Sequence, residues 1–144
     1  MEKQFVNHEI ALKFKELDFN EPCLGAYMGN KLVILGDSPL ELSIKAREIN
    51  NYIKAPLWQQ AIQWFIDKHN IWIGVDTSLI RFYNDSHELL PRKFQFVIED
   101  LNDNDSNYLY HSADEDMFFD NPIEANTQAI LKMIKIISNK QKIL

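Results

Sequence analysis

A chain of 144 residues is long enough to bury a hydrophobic core, and we expect residues 1–144 to form a single domain. Apolar residues make up 46% and charged residues 25% of the chain, a balance that excludes a disordered or fibrous protein. The formal net charge of −6 argues against a general binder of the nucleic-acid backbone, and the single cysteine, Cys23, excludes an intramolecular disulfide.

The N-terminal part of the sequence predicts a helix followed by a β-hairpin. Apolar residues recur at helical spacing at Val6, Ile10, Phe14 and Leu17. This spacing predicts an amphipathic helix over residues 5–18. Apolar runs then flank "MGNK", in which Gly29 and Asn30 suit the positive φ angles of a tight turn. Strands are therefore expected near residues 23–28 and 31–35.

The next segment, "GDSPLELSIKAREIN", is compatible with two structures. Ser38, Pro39 and Glu41 occupy the positions of a capping box, which favours a short helix over residues 39–47. Its apolar residues do not form one stripe, so a loop with a single helical turn is the alternative.

The stretch "APLWQQAIQWFIDKHNIWIGV", residues 55–75, predicts a central helix followed by a strand. One broad arc of the helical wheel carries most of its apolar side chains together with one histidine: Leu57, Trp58, Ala61, Ile62, Phe65 and His69. Three of these are interpreted as core that packs against the sheet: Trp58, Ile62 and Phe65. Trp64 lies at the margin of the arc and is predicted to face a partner. Asn70 is expected to end the helix in a left-handed conformation.

Three segments of the C-terminal half show strand patterns. Residues 71–75 and 79–83 are interpreted as a hairpin that turns at 76–78. Residues 93–99, from "RKFQFVIED", alternate between apolar and polar side chains and are the clearest strand. The polar stretch that follows is a predicted loop, and "YLYH" at 108–111 is the expected return strand.

A second long helix is predicted near the C-terminus. Asn121 occupies a cap position, so the helix should extend from residue 122 to about 138. Five side chains should face inward: Ile123, Thr127, Ile130, Ile134 and Ile137. The predicted fold is therefore α+β, with an antiparallel sheet of five or six strands packed by two long helices, central and C-terminal, and by the N-terminal helix.

The negative charge is concentrated in one part of the chain. From Phe94 to Leu131 there are nine carboxylates and no lysine or arginine, whereas the first 93 residues are nearly balanced. An acidic segment of this kind can serve as a recognition surface for a basic partner. The candidate partner surface combines part of this segment with the marginal tryptophan: Trp64, Glu99, Asp103, Asp105, Asp114, Glu115 and Asp116.

The histidines do not complete a catalytic or metal motif. "HEIAL" begins like a zinc-protease helix, but Leu12 stands where a second histidine is required after His8. His69 fits a half-buried imidazole at a helix end better than a ligand. His111 with Asp114 resembles a base and its orienting acid, but no serine or cysteine nucleophile is marked by its context.

A calcium loop is also incomplete in the acidic segment. Asp103, Asp105 and Asn107 match the first, third and fifth positions of an EF-hand series, but Tyr108 replaces its glycine and Asp114 its glutamate. Four separated glycines exclude a phosphate-binding P-loop. With no signal peptide and no apolar run near the roughly 18 residues of a membrane span, we expect a cytoplasmic protein without a cofactor or a metal.

Three segments together resemble a known group of sequences. They are "EIALKFKELDFNEPC", "APLWQQAIQWFIDKHNI" and "EANTQAILKMIKII". In this order and spacing they resemble small uncharacterised proteins of bacteriophages and prophages from Bacteroides-like bacteria. The chain departs from that pattern at Asp18, where the group has glycine, and near Ile66, where it has arginine or glutamate. The resemblance implies a phage or prophage origin and a cytoplasmic α+β domain, and it supplies no catalytic residues.

Three hypotheses of function follow from the sequence. The favoured one is a non-enzymatic accessory protein that binds a host or phage protein, without a membrane or direct nucleic-acid contact. The second is an acidic mimic of nucleic acid that occupies a DNA-binding protein of the host. The third is an enzyme with an unrecognised site, which a deep pocket gathering His111, Asp114 and Tyr108 would support.

Overall fold

The computed structural model describes three ranges of the chain: residues 2–34, 52–102 and 108–143. Segment 39–47 and the side chains of Asp103 and Asp105 lie outside these ranges. The described residues form helices and antiparallel strands, which confirms the α+β class. Close contacts divide the chain into two compact units, Met1–Gln63 and Trp64–Leu144.

The prediction of a single sheet is wrong. Within the described ranges, six strands form two antiparallel sheets of three strands each. Alternation of apolar and polar residues identifies a strand, but it does not identify the partner of that strand. The division into two sheets therefore depends on the tertiary structure and could not be predicted from the sequence pattern.

Helix α1 of the first unit, His8–Glu16, is shorter than predicted. It begins at residue 8 because the side chain of Asn7 caps it, accepting a hydrogen bond from the backbone N–H of Ile10 at 2.9 Å. The chain leaves the helix through Asp18, whose φ of 60° is left-handed. Helix α1 packs its buried face against the third strand of the sheet.

The sheet of the first unit contains the predicted hairpin. Strands β1, Gly25–Met28, and β2, Lys31–Ile34, pair across Gly29, whose φ of 59° confirms the tight turn. Strand β3, Tyr52–Ala55, pairs with the other edge of β1 and was not predicted. Its four residues are too few to show a clear period in the sequence.

Helix α2, Trp58–His69, ends as predicted at Asn70, whose φ is 54°. Phe65 is fully buried, which confirms it as core, whereas Trp58 and Ile62 are only half-buried. Trp64 is 7% exposed, so the prediction that it faces a partner is wrong. The buried side of α2 is wider than the arc of a helical wheel, because the Trp64 ring packs against two other rings of the same helix: Phe65 and His69.

The sheet of the second unit has the order β4-β5-β6. Its strands are β4, Ile71–Thr77, β5, Phe94–Asp100, and β6, Tyr108–His111. Strand β4 pairs with β5 over its whole length, so the predicted hairpin with residues 79–83 is wrong. The chain does not turn back at 76–78, because Ser78 continues the pairing by donating its N–H to the carbonyl of Lys93 at 2.8 Å.

Helix α3, Pro122–Ile143, packs against β4 and β5 and is longer than predicted. The side chain of Asn121 accepts the N–H of Glu124 at 2.9 Å, which confirms the cap. Three of the five predicted inward side chains are buried: Ile130, Ile134 and Ile137. Ile123 is 42% exposed because the buried stripe of this helix begins at Ala125, two residues and about 200° of helical rotation away from Ile123. No helix in the described ranges is both long and apolar enough to cross a membrane.

Candidate functional site

The connection between β4 and β5 exposes an unusual amount of apolar surface. We call residues 79–92 the apolar loop. Twelve large hydrophobic residues are exposed in the described part of the chain, and five of them lie in this loop. Their exposed fractions are 87% for Leu79, 49% for Ile80, 60% for Tyr83, 54% for Leu89 and 38% for Leu90. Exposed apolar side chains that are concentrated on one segment mark a candidate surface for contact with another molecule.

The apolar loop has a defined conformation, and Asn84 is its centre. The side-chain oxygen of Asn84 accepts the N–H groups of Ser86 at 3.0 Å and Glu88 at 2.9 Å. Its amide nitrogen donates to the carboxylate of Glu88 at 2.8 Å. A β-bridge between Tyr83 and Leu89 then places these two exposed side chains next to each other. The exposed pair is therefore part of an ordered turn.

The base of the apolar loop is anchored in the second unit. The Phe82 ring packs edge-on against Phe118, with 5.1 Å between ring centroids. Ser78 is fully buried and accepts the N–H of Ile80 at 3.1 Å. Lys93, which follows the loop, pairs with Asp120. Successive side chains of an extended segment point to opposite sides, so Tyr83 faces solvent when its neighbour Phe82 packs against Phe118.

Two unpaired cations flank the exposed apolar side chains. Arg81 and Arg92 are both exposed, and neither has an ion-pair partner among the described residues. Tyrosine and arginine are the residue types enriched at the centres of protein interfaces. The sequence prediction missed this surface, because residues 79–83 read as a strand whose apolar side chains would be covered. The signal was present as "SLIRFYNDSHELLPR", in which apolar residues adjoin two arginines and a polar turn.

The predicted acidic surface is only partly described. Asp114, Glu115 and Asp116 lie exposed on a 3-10 turn, Ser112–Glu115, and at its end, whereas Glu99 is half-buried on β5. The 3-10 turn is therefore the part of the predicted surface that the structure brings together. Trp64 belongs to the core and does not join it.

Glu115, one carboxylate of the acidic segment, contacts a neighbouring tyrosine. Glu115 accepts the hydroxyl of Tyr110 at 2.8 Å. Burial and this hydrogen bond raise the pKa of Tyr110 to about 12, so the hydroxyl remains a donor at neutral pH. The ammonium of Lys132 lies 4.1 Å from the centroid of the same ring. Positive charge therefore lies close to part of this acidic segment.

His111 lines a small cavity formed by residues of β4, β5 and β6. The cavity has a volume of about 200 Å³. Its lining residues are Gly74, Asp76, Gln95, Phe96, Val97 and His111. The Asp114 carboxylate lies 3.8 Å from Nδ1 of His111, but Asp114 does not line the cavity. Among the described residues, no serine, threonine or cysteine lines the cavity. The predicted base therefore has no nucleophile beside it in this cavity.

The single cysteine, Cys23, is a packed side chain. Cys23 is buried, and burial raises the pKa of its thiol to about 12, so it stays protonated and is a poor nucleophile. The thiol lies 3.5 Å from the carbonyl of Glu21. Among the described residues there is no group of three or more histidine, cysteine, aspartate or glutamate side chains that is arranged to hold a metal ion.

His69 carries a polar atom without a partner. Its Nε2 is buried and has no hydrogen bond in the described structure, while its ring packs against Trp64 at 5.2 Å and Phe65 at 6.2 Å. Burial, with smaller effects from Lys68 and Lys140, holds the pKa of His69 below its usual value of 6.5. The folded state therefore favours the neutral imidazole.

We expect this pKa to make the protein less stable in mild acid. Because the unfolded chain binds the proton more readily, the contribution of His69 is present above pH 6.5 and is lost as the pH falls through that value. His69→Leu should be no less stable than the wild type at about pH 7.5, since it removes an unpaired buried nitrogen, and it should lose less stability at about pH 5.5. Urea unfolding at both pH values measures this. Equal losses in the two proteins would contradict it.

Comparison of this chain with known proteins identified no similar protein. The chain matches no family model, no curated protein and no solved structure. The candidate site is consequently defined by the chemistry of the chain's own residues.

Proposed function

We propose that this chain is a non-enzymatic accessory protein of phage or prophage origin that binds a host or phage protein. The apolar loop is the contact surface in this proposal. The observation that supports it is the concentration of five exposed large apolar side chains on one ordered segment. The resemblance to phage and prophage proteins motivates the proposed origin.

The order of the apolar loop favours binding. A flexible segment must lose conformational entropy when it binds, at about 0.5–1.5 kcal/mol for each immobilised side chain. The hydrogen bonds of Asn84 and the Tyr83–Leu89 bridge already hold this segment in one conformation before any partner arrives. Burial of the exposed apolar area, at about 25 cal/mol per Å², can then contribute to affinity without the cost of ordering the backbone of the turn, although the exposed side chains still lose rotamer freedom.

The partner should present an apolar depression with carboxylates at its rim. The apolar depression would receive Tyr83 and Leu89, whose side chains are adjacent and more than half exposed. The carboxylates would pair with the exposed guanidinium groups of Arg81 and Arg92. A protein is favoured over a membrane surface because the turn between the two apolar side chains is polar and includes Asp85 and Glu88.

We expect the double variant Tyr83→Ser/Leu89→Ser to lose the partner while it keeps the fold. Leu12→Ser/Leu24→Ser is the matched control, because these two leucines are 38% and 44% exposed in the first unit. Wild type and both variants, immobilised at equal density, would be exposed to lysate from a Bacteroides-like host. A protein retained by the wild type and the control, and lost with the loop variant, is then purified and titrated against all three.

Purified partner should bind the loop variant at least about thirtyfold more weakly, because two central apolar contacts together typically contribute more than about 2 kcal/mol. Circular dichroism and melting temperature must be unchanged in the variant. Retention of every captured protein by the loop variant would overturn the proposal.

The second candidate function is mimicry of nucleic acid. It is favoured by three exposed carboxylates on and directly after one turn, namely Asp114, Glu115 and Asp116. A variant with four carboxamides tests it: Asp103→Asn, Asp105→Asn, Asp114→Asn and Asp116→Asn. Loss of the captured partner with this variant, together with a steep weakening by salt, would favour the acidic segment over the apolar loop.

A further inference from the structure

A cavity in the first unit gathers cationic and polar groups that the proposed function does not use. Its volume is about 220 Å³, and it lies where α1 and the segment that follows it meet β3. Its lining residues are Ala11, Lys15, Phe19, Asn20, Tyr52 and Lys54. None of the lining residues in the described ranges is acidic, although the whole chain carries a net charge of −6.

Lys54 is held in place by Asn20. Its ammonium donates to the backbone carbonyl of Asn20 at 3.0 Å and to the side-chain oxygen of the same residue at 2.8 Å. A lysine ammonium has three N–H donors, so one remains available to a ligand. Because the side-chain oxygen of Asn20 is the acceptor, its NH₂ group is a further donor at this site.

Lys15 supplies a second positive charge from helix α1. It is exposed, and neither it nor Lys54 forms an ion pair with any residue that the structure describes. Both ammonium groups line the same cavity, so an anion bound there would be attracted by two positive charges. The charge of the cavity therefore favours a negative ligand over a positive one.

The shape and donors of the cavity select among anions. Lysine acts on phosphate as a point charge, whereas planar carboxylates are bound best by the fork of arginine, which is absent from the lining. A phosphate at neutral pH carries close to two negative charges, which match the two ammonium groups. Phe19 and Tyr52 add aromatic walls beside them, with Phe19 buried and Tyr52 half-buried.

From this geometry we propose that the cavity binds a phosphate group, either as inorganic phosphate or as a small phosphomonoester. Lys15 and Lys54 neutralise the phosphate, and the amide of Asn20 donates to one of its oxygens. The aromatic walls contact the apolar part of a phosphomonoester. This site lies in the first unit and is independent of the apolar loop.

The test is a titration of the full chain with inorganic phosphate and, separately, with phenyl phosphate, at constant ionic strength maintained with chloride. Isothermal titration calorimetry should show saturable binding of at least one probe at or below roughly 10 mM. Tighter binding of phenyl phosphate would assign the site to a phosphomonoester, and equal binding would assign it to the phosphate group alone. No saturation with either probe would overturn the proposal.

Charge variants locate the binding. Lys15→Gln leaves the hydrogen bonds between Lys54 and Asn20 intact and should weaken binding about tenfold or more, since it removes one charge-assisted hydrogen bond to the phosphate. Lys13→Gln changes the net charge equally, but it lies outside the cavity lining and should change affinity less than about twofold. Equal affinity in the wild type and Lys15→Gln, or equal losses in both variants, would overturn the proposal. Melting temperatures without ligand confirm that each variant is folded.

Discussion

Phe65→Ala should lower the free energy of unfolding by about 3–5 kcal/mol. The side chain is fully buried on α2, and its ring contacts Trp64 at 5.3 Å between centroids and His69 at 6.2 Å. Truncation removes the transfer free energy of the ring and leaves a cavity that these neighbours fill only in part. A domain of ordinary stability, about 5–15 kcal/mol, would lose a large share of it.

Urea unfolding followed by circular dichroism measures this loss. Gln59→Ala is the control, because Gln59 is an exposed residue of the same helix and its truncation removes no buried surface. It should change the unfolding free energy by less than about 0.5 kcal/mol. An unchanged midpoint for Phe65→Ala would show that α2 does not bury this face.

Trp64→Ala should cost a similar amount, about 3–5 kcal/mol. A helical wheel places Trp64 at the margin of the apolar arc, which predicts a small cost, but the residue is 7% exposed and its ring packs edge-on against Phe65 and His69. The two expectations differ by several kcal/mol, so a single measurement distinguishes them. Circular dichroism is the suitable probe because the variant removes a fluorescent side chain.

The control for Trp64→Ala is another tryptophan. Trp72 is 37% exposed on β4, so Trp72→Ala should cost clearly less, about 1 kcal/mol. The double variant Phe65→Ala/Trp64→Ala should lose less than the sum of the single losses, because the two rings contact each other and share one cavity. Strict additivity would mean that the rings do not stabilise each other.

The sequence by itself determined the elements whose signals are local. Asn7 and Asn121 cap helices through their own side chains, and Asn70 and Gly29 adopt left-handed conformations that their residue types favour. The alternation in β5 and the 3.6-residue period of α2 also reflect neighbours within one element. The cap at Asn7 was not predicted, because the helix was predicted to begin at residue 5 and begins at His8 instead.

The candidate site depended on contacts between distant parts of the chain. The apolar loop was predicted to contain a strand because its apolar residues match one, and the pairing of β4 with β5 instead leaves them exposed. The cavity in the first unit joins Lys15 to Lys54, which are separated by 38 intervening residues and by β1 and β2. The periodicity of apolar residues in the sequence cannot predict that two distant residues lie close together, because it carries no information on which elements pack together.

The sequence therefore determined the α+β class, the ends of several elements and the absence of recognisable catalytic motifs, because each of these depends on residue type and short-range spacing. Tertiary structure alone decided the division into two sheets, the burial of Trp64 and the exposure of Tyr83 and Leu89. The physical reason is that a side chain is buried only when other elements of the fold cover it. The same apolar residue therefore belongs to the core when it is covered, and to a possible interface when it is left exposed.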